Sequence, residues 1–173
     1  MRLGMLIELD RCVGCLACVS SCKERWDTGP GAARDWVVTF EHQRLGLTFY
    51  PGLCMQCSDH PCTTECPTGA TYRRNDGIVV VDPDVCIGCG NCISLCPYGA
   101  RRIDPVKNIV EKCNLCAPYV DRGEAPACVT TCLADVPALW GPRRSYKQGI
   151  AACAHLGRAS IEDRRSGRWT QRV

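Results

Sequence analysis

The chain places 17 cysteines in 173 residues, and sixteen of them stand in four groups of four. CVGCLACVSSC carries Cys12, Cys15, Cys18 and Cys22. CMQCSDHPCTTEC carries Cys54, Cys57, Cys62 and Cys66. CIGCGNCISLC carries Cys86, Cys89, Cys92 and Cys96, and CNLCAPYVDRGEAPACVTTC carries Cys113, Cys116, Cys128 and Cys132. Cysteines two or three residues apart are poor disulfide partners but good metal partners. The chemistry these residues offer is thiolate coordination, of zinc or of iron–sulfur clusters.

Groups one and three have the spacing C-x2-C-x2-C-x3-C. This is the run bacterial ferredoxins use for [4Fe-4S] clusters, with the last cysteine serving a second cluster. A loop with three cysteines in seven residues wraps one corner of a cube and turns its N–H groups toward the sulfides. Gly14, Gly88 and Gly90 allow that close approach. The fourth cysteine lies one helical turn past the third, so a short helix there offers one thiolate to each of two clusters. All four groups end in C-x3-C. They differ upstream, with four intervening residues in group two and eleven in group four, an expected loop insertion. An independent four-cysteine zinc site remains the alternative for group four, at the cost of stranding Cys22.

Groups two and three continue alike, CPTGATY and CPYGARR, an internal repeat in which Pro67 and Pro97 stop the helix and Gly69 and Gly99 turn into a strand. They pair as one two-cluster unit, which leaves groups one and four to pair around it. The expected ligand sets are Cys12, Cys15, Cys18 and Cys132 for cluster one, and Cys113, Cys116, Cys128 and Cys22 for cluster two. Cluster three takes Cys54, Cys57, Cys62 and Cys96, and cluster four takes Cys86, Cys89, Cys92 and Cys66.

The elements that must position these thiols are short. LGMLIELD, DWVVTFE, LTFYP and GIVVV have strand character, the last following the turn Asn75-Asp76-Gly77. Short helices are expected from each group's third cysteine, and WDTGPGAARD is a loop. The class is α+β: two nested bacterial-ferredoxin-like units with cluster-binding loops. Residues 1–53 and 104–140 form the outer unit, 54–103 the inserted inner unit and 141–173 a basic tail. Apolar residues make up 46% of the sequence and aromatics only 6%, so the ordinary core is thin and metal must help hold the fold.

MRLGMLIELDRC has no secretory h-region, and no apolar run approaches the roughly 18 residues of a membrane span. Residues 141–173 hold eight Lys/Arg and two acids, and nothing in the tail alternates as a nucleic-acid platform would. Four clusters with their thiolates add roughly −8 to the apoprotein. Arg11, Lys23, Arg101, Arg102 and Lys112 adjoin ligands in sequence and are candidates to raise reduction potentials. Cys153 is expected to be an inert thiol, His60 a loop residue, and His42 and His155 show no ligand spacing. No catalytic constellation, phosphate loop or dinucleotide fingerprint is present.

RLGMLIELDRCVGCLACVSSCK, LCMQCSDHPCTTECPTGATYRRNDGIVVVDPDVCIGCGNCISLCPYGARR and VEKCNLCAPYVDRGEAPACVTTC resemble the four-cluster iron–sulfur subunits of molybdopterin oxidoreductases. These are the electron-transfer subunits of the dimethyl sulfoxide, polysulfide and related reductases. The resemblance covers about residues 2–135. It implies four [4Fe-4S] clusters in a wire and no substrate chemistry in this chain. The cluster-one end would lie on a molybdenum or tungsten molybdopterin catalytic subunit. The cluster-four end would face a membrane quinone-binding subunit or another electron carrier. Clusters would be assembled in the cytoplasm, and the final location would be cytoplasmic or, by co-export with a partner, periplasmic. Leu133, where many relatives have proline, and LWGPRRSYKQG with its basic end depart from the pattern. The alternatives are a polyferredoxin of a hydrogenase or carbon monoxide dehydrogenase system, and a structural cluster subunit of a redox-neutral molybdopterin hydroxytransferase.

Overall fold

The computed structural model describes residues 3–43, 46–141 and 144–145, so Cys153, His155 and most of the basic tail lie outside the described residues. The first strand, β1 (Gly4–Ile7), pairs antiparallel with β8 (Pro137–Gly141), with Gly4 opposite Trp140 and Ile7 opposite Pro137. A two-residue strand, β9 (Arg144–Ser145), lines the other edge of β8. Strands β2 (Asp35–His42) and β3 (Gly46–Leu53) form a long hairpin with Asp35 opposite Leu53. Pro51 sits within β3, tolerable because a two-stranded ribbon leaves one edge of each strand unpaired.

Groups two and three are each followed by a small hairpin, the second of which runs past residue 103 to Glu111. β4 (Thr71–Arg73) pairs with β5 (Val79–Val81), and β6 (Arg102–Asp104) with β7 (Ile109–Glu111). The first is turned over Asn75-Asp76-Gly77, where the Ile78 N–H donates to Asp76 Oδ1. In the second, the Asp104 carboxylate accepts from the Val106 and Lys107 amides. Asx turns of this kind close a loop with a side chain acting as backbone.

Helices α1 (Ala17–Trp26), α2 (Pro61–Thr64), α3 (Asn91–Ser94) and α5 (Ala127–Thr131) each begin one residue before a third cysteine. Proline explains their lengths. Pro67 and Pro97 allow α2 and α3 a single turn, whereas Lys23 follows Cys22 and α1 continues to Trp26. The Lys23 ammonium then fixes the loop beyond, donating to the carbonyls of Thr28, Gly29 and Ala32. α1 packs on α5, and α2 on α3. The eleven-residue stretch expected as plain loop holds a further helix, α4 (Ala117–Asp121), with Pro118 in its first turn, where a missing N–H costs nothing. Its buried Ala117 and Val120 join Leu53, Ile78, Val80, Leu115 and Leu139 in one core. Ile78 and Leu139 are fully buried. Trimming a side chain of this kind to alanine costs about 2–5 kcal/mol.

Candidate metal centres

The four cysteine loops share one backbone device. In each, the residue just before the second cysteine is left-handed: Gly14 at φ 68°, Gln56 at 49°, Gly88 at 66° and Leu115 at 53°. The turn swings successive amides toward the inside of the loop, a nest for an anion. A left-handed L-residue costs about 1–2 kcal/mol, which glycine avoids in groups one and three. Gln56 offsets it with two hydrogen bonds, accepting from the Val79 N–H at 2.8 Å and donating to the Cys113 carbonyl at 2.9 Å. Leu115 offsets it by burial in the core.

A second device recurs at the last cysteine. The amide four residues on faces the sulfur: Ala100 N–H donates to Cys96 Sγ at 3.4 Å and Val136 N–H to Cys132 Sγ at 3.3 Å. Cys66 has the same partner, Ala70, together with Thr68 and Thr71. Burial acts to raise its pKa, but these bonds outweigh that and hold it below the ordinary thiol value. Further amides meet Cys86 (from Val110) and Cys113 (from Leu115). In α1 the residue four beyond Cys22 is Trp26, still helical, so that amide is committed to the helix. Cys22 meets the Asp35 carboxylate instead.

Cys12, Cys15, Cys18 and Cys132 line one cavity together with Cys128 of the neighbouring set, closed by the hairpin residues Asp35 and Leu53. Cys54, Cys57, Cys62 and Cys96 line another, with Arg101 and His60. Cys22 lies among Cys113, Cys116 and Cys128: burial first, then Asp35 and those three thiols, push its pKa far up. Burial likewise raises Cys113 to about 12 and, aided by Asp35, Cys18 to about 11. For Cys86, Cys89, Cys92 and Cys66, the contact of α2 with α3 brings the chain ahead of Cys66 against the helix holding Cys92. Among the described residues no three Cys, His, Asp or Glu side chains converge as on a single ion. A zinc thiolate needs its sulfurs about 2.3 Å from one centre. All sixteen described cysteines are free thiols.

This arrangement fits a thiolate-bound iron–sulfur cube. Soft donors stand around cavities, amides point at sulfur, and buried thiols need a cation to lose their protons. Loading iron therefore releases protons, since each ligand must be thiolate. His60 lies in the loop, as expected, at the position just ahead of α2, with Nδ1 2.8 Å from Thr63 Oγ1. The side chain of His42 lies outside the described residues.

Two residues escaped the sequence reading. Asp35 is buried, its Oδ1 has no partner, and burial pushes its carboxyl up to about 6 despite hydrogen bonds from Cys22 and its own backbone. Gln56 couples two cysteine loops. Neither carries a local signal: each becomes special only through residues distant in sequence.

Two overlapping segments match models described as 4Fe-4S dicluster domain, residues 11–70 and 45–139. The chain is 38% identical to a tetrathionate reductase subunit of Salmonella typhimurium over 166 residues, 93% of this chain and 66% of that protein. It is 39% identical to a polysulfide reductase component of Wolinella succinogenes, covering 78% and 73%. Identity to a component of the anaerobic dimethyl sulfoxide reductase of Escherichia coli is 39%, covering 90% and 82%. The chain thus spans just under two thirds of the length of the Salmonella relative.

Proposed function

Because this protein belongs to the 4Fe-4S dicluster family of iron–sulfur proteins, we propose that it is the electron-transfer subunit of a molybdopterin oxidoreductase. Its four [4Fe-4S] clusters would be held by Cys12, Cys15, Cys18 and Cys132; by Cys113, Cys116, Cys128 and Cys22; by Cys54, Cys57, Cys62 and Cys96; and by Cys86, Cys89, Cys92 and Cys66. The observation that carries this reading is the meeting of sequence-distant thiols, Cys132 with Cys12 and Cys22 with Cys113, across the β1–β8 pairing. The outer unit then closes around an inner one built from the two small hairpins.

When bound, each cluster takes up and releases one electron. The protein's part is to hold, space and shield. The C-x3-C turns place one thiolate in each of two neighbouring sets. The amides facing sulfur favour added negative charge. Leu53, Leu115 and Leu139 exclude water from the middle of the molecule. The exposed ligands are Cys15 and Cys89. Each has exposed apolar neighbours, Val13 and Leu16 beside the first and Val85 and Ile87 beside the second. These are the faces where the catalytic subunit and a quinone-linked or other electron carrier would approach. Among the described residues no helix is long and apolar enough to cross a membrane.

The test is anaerobic isolation of the protein with its natural partners. About 16 iron atoms per molecule, a broad visible absorbance that bleaches on reduction, and molybdenum or tungsten in the co-isolated subunit support the reading. Markedly less iron, or nickel in the partner, overturns it.

A further inference from the structure

Five cations adjoin cysteine ligands in the sequence, and the structure divides them. Arg11 faces outward and pairs with Glu8 at 3.1 Å. Arg102 is exposed and donates to the carbonyls of Gly99 and Arg101. Lys23 is committed to loop carbonyls. Arg101 and Lys112, in contrast, are 1% and 3% exposed.

Arg101 reaches a cysteine sulfur directly, and Lys112 reaches the backbone beside one. One guanidinium nitrogen of Arg101 donates to Cys62 Sγ at 2.8 Å and the other to Thr71 Oγ1 at 3.2 Å. The Lys112 ammonium donates to the carbonyls of Val79 and Cys113. Cys54, Cys113 and Cys62 lie within its electrostatic reach, and so does Arg101, whose like charge opposes it until those thiols are ionised. Among the described residues neither cation forms an ion pair with a carboxylate. A buried charge without a counterion is severely unfavourable. The counterion these two are built for is therefore the thiolate cage beside them. One added electron makes such a cage more negative by one charge, and a fixed cation in a poorly solvated site favours that state.

We propose that Arg101 and Lys112 fix where an electron rests in this protein. That place is the cluster held by Cys54, Cys57, Cys62 and Cys96, at its junction with the one held by Cys113, Cys116, Cys128 and Cys22. This rests on the ligand sets proposed above. Arg101 acts mainly on the first of these clusters through its bond to Cys62. Lys112 acts on both, because it bonds the Cys113 carbonyl and has Cys54 as well as Cys113 within electrostatic reach. The electron enters from and leaves to the redox partners, and no proton is required.

The test is a redox titration of the full, cluster-loaded protein followed by electron paramagnetic resonance, with dithionite and ferricyanide as titrants. Cys96→Ser identifies the signal of the Cys54 cluster by its loss or alteration. Arg101→Gln is expected to retain iron and to lower the midpoint of that signal at least about tenfold in the reduced-to-oxidised ratio, about 59 mV for one electron. The other three midpoints stay in place. Arg101→Lys keeps the charge and recovers most of the shift, and Lys112→Met lowers two midpoints. If Arg101→Gln keeps its clusters with all midpoints unchanged, the proposal is overturned. If it loses the cluster, Lys112→Met decides, and unchanged midpoints there are equally fatal. A shift in a signal that Cys96→Ser leaves intact would reject the ligand assignment while sustaining the role of Arg101.

Discussion

Gly88→Ala is the substitution whose cost follows most directly from the geometry. Gly88 has φ 66°, where an L-residue loses about 1–2 kcal/mol. Its added Cβ would stand 2.5 Å from the carbonyl oxygen of Asn108. A carbon and a carbonyl oxygen ordinarily approach to about 3.3 Å, so the pair must open by roughly 0.8 Å. The oxygen belongs to backbone in the β6–β7 turn, pinned by the Asn108 N–H to the Asp104 carbonyl at 2.8 Å. Two residues further on, the Val110 N–H donates to Cys86 Sγ at 3.5 Å. Moving the turn takes that amide off the sulfur, a loss of about 1.5–3 kcal/mol for a bond to a charged acceptor. The total is about 2.5–5 kcal/mol. Gly90→Ala is the control, because Gly90 is also left-handed, at φ 81°, but its Cβ meets nothing within 4 Å. It should cost only the conformational 1–2 kcal/mol. The assay is iron release to a chelator from the loaded protein at a fixed sub-denaturing urea concentration. Gly88→Ala should release its labile iron at least about tenfold faster than Gly90→Ala, the factor for 1.4 kcal/mol. Rates equal within about twofold would refute the claim that the Asn108 carbonyl, and not backbone conformation alone, sets the cost.

Cys132→Ser should abolish or alter the cluster of the first motif while leaving Cys113, Cys116 and Cys128 loaded; iron counting with resonance spectra checks it, and damage confined to the fourth motif would revive the zinc reading. Asp35 titrates near 6 when folded against 3.8 unfolded, so the folded state binds the extra proton and stability declines as pH rises between those values. Measured by urea unfolding, stability relative to Asp35→Asn should fall by up to about 3 kcal/mol from pH 4 to pH 7, and a rising difference would contradict it. Arg34 pairs with Glu111 at 2.5 Å in a nearly buried site and stacks on Trp26. Arg34→Ala should therefore cost about 3–5 kcal/mol, against less than about 1 kcal/mol for Arg122→Ala, whose pair with Glu124 is exposed. Leu133→Pro should change stability by under about 1 kcal/mol in the same assay. Leu133 is 92% exposed, and Cys132 already has the extended backbone that a following proline demands.

The cysteine spacing made most of the local architecture legible, because three thiols in seven residues leave a short loop few ways to surround a cube. The helix start at each third cysteine and the stops at Pro67 and Pro97 are local, and so they were readable. Helix α4 was not foreseen, since its five residues sit inside a gap defined only by its bounding cysteines. Pro118 followed by Tyr119 and Val120 was the available signal. Strand β8 was invisible for another reason: its partner β1 lies some 130 residues away, and no short window reports on that pairing. Arg101 and Arg102 show the limit most plainly. They are neighbours of one type, yet one is inside and one outside, and only Cys62 and Thr71 distinguish them.

The β1–β8 pairing also has a consequence in time. At roughly 5–20 residues per second of synthesis, the thiols of the first motif leave the ribosome several seconds before Cys113 exists. The two small hairpins and the eight cysteines of groups two and three are all made by residue 111, but Val79, Gln56 and Ile78 still await Lys112, Cys113 and Leu139. On the ligand sets proposed above, the inner pair of clusters has all its cysteines made before the outer pair does. In the interval Cys12 to Cys22 stand as naked thiols, open to oxidation, and a helper that shields them would have to recognise the nascent polypeptide before its last strand is made.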